Sequence, residues 1–476
     1  MLSDGRASLR LARDIGRTGK LSPAAITRTI SALSDFKRLA EGAGASSILA
    51  VATSAVREAE NQAEFLRQIK KELGLKVRVL SGDEEAEYAF LGAVEGLPIR
   101  HGLLFDLGGG SLEVTHFRDR RLKRTWTLPL GALRLTDRFL VTDPPSRGEM
   151  RRLREHVRKT FARERIPRLA PDEILVGTGG STRNLAKVDR RTHPYPISRL
   201  HGYLLSGRRL ETLGARLASR TRDARAAVPG LNSDRVDSIV GGAICVEAGM
   251  AAVGADSLLV SGQGMREGLA FSLTRPRLLS IAEVRAASLE ALLTRFASWS
   301  APRAERRADL ALRLMKSLDP GVDGEIRAAL ELAARALDIG RSVDYYNRHR
   351  HASMILTAID LNGYAQREVA LAAAVVSLAG DEEGLLETYR PLLRGEDEAS
   401  VLKASVVLTL ADEIEQRVPL GQAASYSCRL GEDAITLRAP SLDAWKPRPL
   451  LDRFRRGFGR ELRVSRPSGV QKGKRL

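Results

Sequence analysis

Cysteines, aromatic residues and long apolar runs are scarce in this 476-residue chain. Its two cysteines, Cys245 and Cys428, cannot form the disulfide framework of a small secreted domain. Cys245 lies in the apolar stretch AICVEAGM and is predicted to be a small core residue. Residues 1–20 lack the apolar segment of a signal peptide, and no run of about 18 apolar residues could span a membrane. These absences predict a protein of a reducing, cytoplasmic compartment without membrane partners.

Positive charge is what the chain has in excess, with a formal net charge of +18. Residues 446–476 hold eleven Lys and Arg against two acidic residues, which gives +9, half of the total. A second dense patch is RDRRLKR (118–124). Such charge suits a polyanionic partner, although solvated surface faces would give the same composition. No helix-turn-helix, RNP or zinc-finger pattern indicates nucleic acid specifically.

Hydrophobic periodicity divides the chain into regions of different character. Residues 1–98 and 99–273 alternate helical and strand patterns and predict two α/β domains. From 278 to 418 the patterns are helical with short links, which predicts an all-α domain. Alternation returns in a small α+β segment at 419–464, and a disordered basic tail is predicted at 465–476.

The stretch LLFDLGGGSLEV (103–114) ends an apolar run on Asp106 and then places three glycines and Ser111 before a second apolar alternation. Since a strand follows, the loop joins a hairpin and is not the dinucleotide fingerprint, which needs a helix there. Glycines let backbone N–H groups converge on an anion, which makes Gly108, Gly109 and Gly110 candidate phosphate ligands. Asp106 would repel a phosphate unless a divalent cation lies between them. An ordinary glycine-rich turn is the alternative.

A second glycine loop, GTGGST (177–182), lies between a predicted strand and helix. Its N–H groups would meet an anion with the helix dipole behind them, which makes Gly177, Gly179, Gly180 and Ser181 candidate phosphate ligands. SGQG (261–264) is a weaker third loop.

The acidic block SGDEEAEYAF (81–90) supplies the other chemistry. Hydrolysis of a phosphoanhydride needs an in-line water and a base, and Glu85 is the candidate base. Its neighbour Glu84 confounds the assignment, and all the acids of this block could simply favour the first turn of a helix. Arg57 in ATSAVRE could hold a phosphate or be a surface arginine.

These blocks together resemble one family, the exopolyphosphatase/guanosine pentaphosphate phosphatase family of the actin-like ATPase superfamily. The resemblance covers roughly residues 20–275 and rests on ATSAVREAEN, VLSGDEEAEYAFLGA, LLFDLGGGSLEV, LPLGALRLTDRF, GTGGSTRNLA and SGQGMREGL. The region around DYYNRHRHASMIL (344–356) looks like the HD-like helical domain of long members of the family.

The resemblance implies two actin-like (ribonuclease H-like) domains and removal of the terminal phosphate of polyphosphate or of pppGpp, usually with Mg²⁺. It places the family's catalytic glutamate on Glu85, its metal-linked acids on Asp106 and Glu113, and its phosphate-contacting arginine on Arg57. Because long members are often dimers, it also implies a homodimer.

Two departures from the family pattern are visible. The usual opening strand with a D-x-G-S-N-S loop is not found, so the first domain is expected to lack central strands and one metal-linked aspartate. Either an upstream start codon supplies them, which is the preferred interpretation, or the protein is degenerate. The helical region also lacks the HD dipeptide, and His349 and His351 would point about 200° apart on a helix, so neither is expected to bind metal.

Three functions remain open from the sequence. The leading hypothesis is an exopolyphosphatase that uses Glu85 as base. The alternatives are a pppGpp 5′-phosphohydrolase on the same scaffold and a non-catalytic protein that binds polyphosphate or nucleotides.

Overall fold

The computed structural model describes residues 11–442 except Pro276 and Ala297, residues 448–465, and Gly5, Ala7 and Leu9. The chain divides into two compact units. The first unit comprises Met1–His193 and Leu200–Ile281, and the second comprises Pro194–Arg199 and Ala282–Leu476. Within the described residues no helix is both long and apolar enough to cross a membrane.

The first unit alternates helices and strands, as the sequence predicts. Its strands are β1 (Ala50–Ala52), β2 (Val77–Val79), β3 (Gly102–Leu107), β4 (Leu112–Arg118), β5 (Arg121–Leu128), β6 (Ile174–Thr178), β7 (Tyr203–Ser206) and β8 (Ser257–Val260). Its helices are α1 (Leu11–Thr18), α2 (Pro23–Gly42), α3 (Ser54–Arg57), α4 (Gln62–Leu73), α5 (Gly82–Glu95), α6 (Ala132–Phe139), α7 (Arg147–Arg163), α8 (Gly180–Arg190), α9 (Gly207–Ala218), α10 (Arg222–Ala226), α11 (Ile239–Val253) and α12 (Met265–Thr274).

A six-stranded mixed sheet in the order β5-β4-β3-β6-β8-β7 forms the centre of this unit. The predicted strand meander of residues 101–131 is its antiparallel half, and β6 and β8 run parallel to β3. On one face, Phe105 of β3 packs edge-on against Phe161 of α7. On the other face, Phe90 of α5 packs against Phe117 of β4. The central strands are therefore covered on both faces, which explains their nearly continuous apolar runs.

Glycines allow helix α5 to pack closely against α12. A Cβ at Gly92 would lie 1.9 Å from the carbonyl oxygen of Gly264, and one at Gly268 would lie 1.8 Å from that of Tyr88. Real Cβ atoms do not approach oxygen so closely, so only glycine allows these helices to meet at this distance. The contact fixes the helix that carries Glu85.

A separate two-stranded parallel sheet, β1-β2, lies near the start of the chain. Among the described residues β1 pairs with β2 alone, and beside it lies an apolar groove of about 620 Å³ that includes Leu33, Phe36, Phe65 and Ile69. The expectation that this domain lacks central strands stays a prediction, as does the finer division into domains 1–98 and 99–273.

The second unit is mainly helical, with a small sheet at its end. Its helices are α13 (Ile281–Leu293), α14 (Ala301–Leu318), α15 (Gly324–Ala336), α16 (Arg348–Ala358), α17 (Gln366–Ala379), α18 (Leu386–Tyr389), α19 (Asp397–Gln416) and α20 (Arg448–Phe458). Its strands are β9 (Ser427–Leu430), β10 (Ala434–Arg438) and β11 (Glu461–Ser465), in the order β11-β10-β9. The α/β region followed by a helical region confirms the predicted fold class.

Buried ion pairs cross the helical core. The fully buried Arg307 of α14 forms ion pairs with Asp338 at 2.8 Å and with Asp412 at 3.1 Å.

His349 and His351 both lie on α16. Burial lowers the pKa of His349 to about 4, with further lowering from Arg348. His349 is therefore a neutral histidine packed in this unit.

The basic segments differ in part from the prediction that they face a polyanion. In the patch at 118–124, Arg118 pairs with Asp172 and Glu173, and the side chain of Arg120 is buried. In the C-terminal region Arg453 is also buried and pairs with Asp381. Ser465 ends β11 and so does not belong to a disordered tail, and residues 466–476 lie outside the described residues.

Candidate active site

The site is built on one row of residues across the central sheet. Asp106 at the end of β3 pairs in register with Glu113 of β4 and with Thr178 of β6. Residues paired across neighbouring strands point to the same face, so these three side chains share a face. It is the face that α5 covers, because Leu104 and Val176 on the same face pack with Phe90 of α5. The hairpin therefore presents two acids to the start of α5.

The start of α5 separates the roles of Glu84 and Glu85. Ser81 caps the helix by accepting from the Glu84 N–H at 3.1 Å, while the Glu84 carboxylate accepts from the Ser81 N–H at 2.8 Å. Glu84 also pairs with Arg78, and these bonds lower its pKa. This reciprocal capping box occupies Glu84 on the surface. Glu85, one residue on and only 12% exposed, points elsewhere.

Arg57 of α3 is the partner of Glu85. One terminal nitrogen of its guanidinium lies 3.2 Å from the Glu85 carboxylate and donates to the carbonyl of Leu80 at 2.6 Å. A backbone hydrogen bond from Ser54 also reaches Glu85. The structure thus brings Arg57 and Glu85, both singled out from the sequence, into direct contact.

The carboxylates of Glu85, Asp106 and Glu113 lie close together in this site, and the pKa of each is raised. Burial raises the pKa of Glu85, and Arg57 opposes that rise while Asp106 adds to it. Burial raises the pKa of Asp106, which Arg183 opposes. Burial first, then repulsion from Glu85 and Asp106, raises the pKa of Glu113 to about 8. The cluster holds more negative potential than its neighbouring arginines neutralise.

In the first glycine loop, backbone carbonyls are hydrogen-bonded to the start of α6, whereas two backbone N–H groups are left without an acceptor in the described part of the chain. The carbonyls of Gly108 and Gly109 accept from the first N–H groups of α6, at 3.0 Å from Ala132 and from Leu133. No acceptor among the described residues engages the N–H groups of Gly109 or Gly110. The next residue, Ser111, is buried beside Glu113, and its hydroxyl hydrogen bonds that carboxylate. The N–H groups of Gly109 and Gly110 are therefore available donors near the carboxylates.

The second glycine loop touches the first through Gly179. Its backbone has φ +91, and a Cβ there would lie 2.9 Å from a carboxylate oxygen of Asp106 and 2.4 Å from the carbonyl oxygen of Leu107. The turn admits only glycine because of this close approach and its left-handed backbone. The N-terminal end of α8 therefore lies beside Asp106.

The other predicted residues of this loop take different places. Gly180 and Ser181 begin α8, and the buried Ser181 hydroxyl has no partner among the described residues. Gly177 lies inside β6 and packs against Leu258.

Two arginines of this site were not singled out from the sequence. Arg183 of α8 lies near enough to Asp106 to lower its pKa, and its guanidinium is 3.4 Å from the Thr178 hydroxyl. Arg235 lies over Gly180, where a Cβ would be 2.5 Å from its guanidinium. The arginine in GTGGSTRN was a visible signal for Arg183, whereas Arg235 is distant in sequence and had none.

The acid row has the chemistry of a partial cation site. Glu113 is 2% exposed, and one of its carboxylate oxygens has no hydrogen-bond partner in the described part of the chain. The described residues hold no group of three or more His, Cys, Asp and Glu suited to enclosing a metal. Mg²⁺ needs only one or two carboxylates when waters and substrate phosphates complete its shell. Asp106 and Glu113 fit that requirement.

Two glycine loops beside a buried carboxylate row, on an α/β scaffold, are typical of a phosphate-transferring or phosphate-hydrolysing site. Residues 1–276 match the Ppx/GppA phosphatase family, and residues 284–442 match Ppx/GppA phosphatase domain III. The chain belongs to this family, which confirms the family resemblance stated above. It is a hydrolase that acts on phosphoanhydride bonds.

Individual relatives agree with this assignment. Exopolyphosphatase 1 of Mycobacterium bovis is 33% identical over 273 residues, which is 56% of this chain and 79% of the relative. Exopolyphosphatase 2 of Mycobacterium tuberculosis is 33% identical over 282 residues, 56% of this chain and 86% of the relative. The crystal structure of the Aquifex aeolicus Ppx/GppA family member matches with a TM-score of 0.50 at 29% identity, covering 58% of this chain and 89% of that one.

Proposed function

We propose that the protein is an exopolyphosphatase that removes the terminal phosphate of inorganic polyphosphate as orthophosphate. The observation that supports this most strongly is Glu85, largely buried, paired with Arg57 and close to Asp106 and Glu113. A polyphosphate end needs donors for its oxygens, a cation and a base. This site offers candidates for all three.

The glycine loops are the proposed phosphate ligands. The proposed phosphate-binding residues are Arg57, Gly108, Gly109, Gly110, Ser111, Gly179, Gly180 and Ser181. The open N–H groups of Gly109 and Gly110 and the dipole of α8 support their part in this. Gly177 would act by packing, because it lies within β6. Arg183 adds positive charge on the side of the second loop.

A divalent cation, Mg²⁺ or a similar ion, is the proposed cofactor. Asp106 and Glu113 would hold it, and a bound cation would offset the burial and the repulsion from Glu85 and Asp106 that together raise the pKa of Glu113 to about 8. When bound, it would neutralise charge on the phosphate oxygens and the leaving group.

Glu85 is the proposed general base. Burial keeps the pKa of its carboxylate above the ordinary value and so strengthens it as a proton acceptor, while Arg57 keeps it oriented. Glu85 would take a proton from the water that attacks the terminal phosphorus. As the bridging P–O bond breaks, the shortened chain leaves as the anion and the released group is orthophosphate. Arg57 would then contact the phosphate oxygens as well as Glu85.

The choice between polyphosphate and pppGpp is tested by giving both substrates, in Mg²⁺, to the same preparation and measuring orthophosphate. We expect kcat/KM for long-chain polyphosphate to exceed that for pppGpp, because the net charge of +18 favours a long polyanion. The advantage should shrink with added salt. A higher kcat/KM for pppGpp would replace the proposal with the nucleotide hydrolase. Binding of polyphosphate without release of orthophosphate would indicate the non-catalytic alternative.

A further inference from the structure

Positive charge is unevenly distributed along the chain. Residues 1–281 hold 46 Lys and Arg against 31 Asp and Glu, whereas residues 282–445 hold 19 against 25. Apart from the basic segment at 446–476, the excess therefore lies in the region of the first unit. Helix α7 contributes strongly, because its 17 residues include seven Lys and Arg against two Glu.

The basic side chains of α7 lie opposite its buried side. Leu153, Val157 and Phe161 are buried, and Phe161 packs against Phe105 of β3. An α-helix turns about 100° per residue, so residues three or four apart share a side. The side away from the sheet carries six exposed cations, Arg147, Arg151, Arg152, Arg158, Lys159 and Arg163. We call these six residues the α7 face.

Acidic neighbours neutralise only part of the α7 face. The Glu155 carboxylate lies 2.9 Å from the guanidinium of Arg158 and 3.5 Å from the ammonium of Lys159. Glu164 lies 2.9 Å from the guanidinium of Arg163. Two carboxylates are thus shared among three of the cations.

The other three cations, Arg147, Arg151 and Arg152, form no ion pair with any acid in the described part of the chain. A depression of about 410 Å³ lies on this side of the helix, lined by Arg151, Arg152, Glu155, His156 and Lys159. Solvent-exposed guanidinium groups without acidic partners have all their N–H donors available to an anion.

His156 lies beside the α7 face and experiences its charge. The imidazole packs against Phe139 of α6, with ring centroids 4.9 Å apart. Burial first, and then the positive charges of Arg138 and Arg163, lower the pKa of His156. Cations therefore outweigh acids around this ring, and an anion bound there would be stabilised.

The α7 face lies on the other side of the central sheet from the candidate active site. Phe105, which packs under α7, alternates along β3 with Leu104 and Asp106. Successive side chains of a strand point to opposite faces, so Asp106 points away from α7. A ligand on the α7 face is therefore separated by the sheet from Asp106 and Glu113.

We propose that the α7 face is a second, non-catalytic binding site of the first unit, and that its ligand is an extended polyphosphate chain. Its cations span about 24 Å along the helix, at a rise of about 1.5 Å per residue, which suits a long linear polyanion better than a single phosphate. The one phenylalanine of α7, Phe161, is buried, so the helix offers no exposed aromatic ring of Phe, Tyr or Trp for stacking nucleobases. The choice of polyphosphate rests on the proposed function, whereas the anion-binding face stands on its geometry.

The first test is equilibrium binding of long-chain polyphosphate to the full chain in the presence of a chelator. The variant that combines Arg151→Gln, Arg152→Gln and Lys159→Gln should raise Kd by about tenfold. The slope of log Kd against log salt concentration should fall by about two to three, because three contacts that release counterions are lost. Arg158 stays in place and keeps its pair with Glu155.

The matched control removes the same amount of charge from another helix of the first unit. It combines Arg67→Gln, Lys70→Gln and Lys71→Gln, three exposed positions of α4. Because both variants lose three positive charges, a difference between them depends on position rather than on net charge. The control should keep Kd within about twofold of the unmodified protein.

The imidazole of His156 provides a readout at the α7 face itself. The chain has seven histidines, so its ring signal can be assigned by NMR with His156→Gln. Polyphosphate should raise the pKa of His156 in the unmodified protein and in the α4 control, because bound anions offset the neighbouring cations. The same addition should move it much less in the α7 variant.

A kinetic measurement extends the test to long substrates. The ratio of kcat/KM for long-chain polyphosphate to kcat/KM for tripolyphosphate should fall about fivefold in the α7 variant, because only a long chain can occupy both sites. Equal losses of affinity in the two triple variants, unchanged Kd in the α7 variant, or a His156 pKa that polyphosphate does not move would overturn the inference. Tighter binding of single-stranded RNA of equal charge, lost in the α7 variant, would replace polyphosphate with nucleic acid as the ligand. If the unmodified protein releases no orthophosphate, the proposed function fails, and the binding and NMR results still decide the role of the α7 face.

Discussion

Replacing Glu85 with glutamine is expected to lower kcat for polyphosphate by about 10²–10⁴-fold, the range that a positioned general base contributes. The substitution keeps the shape of the side chain and its contact with Arg57, so polyphosphate binding should stay within about twofold of the unmodified protein. Single-turnover orthophosphate release and equilibrium binding of polyphosphate, each with Mg²⁺, measure the two quantities.

Glu84→Gln is the matched control, because it makes the same chemical change one residue away. Glu84 is engaged by the helix cap and by Arg78, so its loss should lower the denaturation midpoint slightly and leave kcat unchanged. Equal losses of kcat in the two variants, or full activity of Glu85→Gln, would remove Glu85 from the role of base.

The second large effect is expected in the pH dependence of the free energy of unfolding, measured on protein from which divalent cations have been removed. The Glu113 pKa of about 8 lies above the ordinary value near 4.5, so the native state binds the proton more tightly than the unfolded chain does. This contribution is complete below about pH 4.5 and is lost as pH rises towards 8, with a slope of at most about 1.4 kcal/mol per pH unit. Urea denaturation at pH 5.5, 7 and 8 in the presence of a chelator measures it.

Glu113→Gln should flatten that slope, and Mg²⁺ should restore stability at pH 8 in the unmodified protein more than in the variant. The exposed Glu155, whose pKa is lowered by Arg158, gives the control Glu155→Gln, which should keep the unmodified slope in this range. A slope that persists in Glu113→Gln, together with an unchanged response to Mg²⁺, would contradict the assignment of Glu113.

Much of the fold and several candidate site residues could be predicted from local sequence patterns. The meander at 101–131 was predictable because each strand has its own apolar pattern and is bounded by turn residues. Asp106 was a candidate because a carboxylate next to a loop that could bind phosphate makes chemical sense if a divalent cation lies between them. The choice between Glu84 and Glu85 needed the resemblance, since the capping box that occupies Glu84 depends on where α5 begins.

Long-range contacts could not be obtained in this way. Arg120 belongs to a stretch whose composition indicates a solvated basic patch, yet its guanidinium donates to the carbonyls of Val94, Leu97 and Ile99 at the end of α5. The turn at Asp119 and Arg120, with φ +52 and +56, aims it there. The hydrogen bond from the Tyr195 hydroxyl to Gln366 likewise joins residues far apart in sequence, and no local pattern pairs them.

The most direct test of the central claim is hydrolysis of long-chain polyphosphate in ¹⁸O-labelled water with Mg²⁺. The account predicts orthophosphate as the released product from the start of the reaction, with one ¹⁸O atom per molecule, because water attacks the terminal phosphorus. Early appearance of shortened chains without orthophosphate, orthophosphate that carries no label, or no product from folded protein would contradict it.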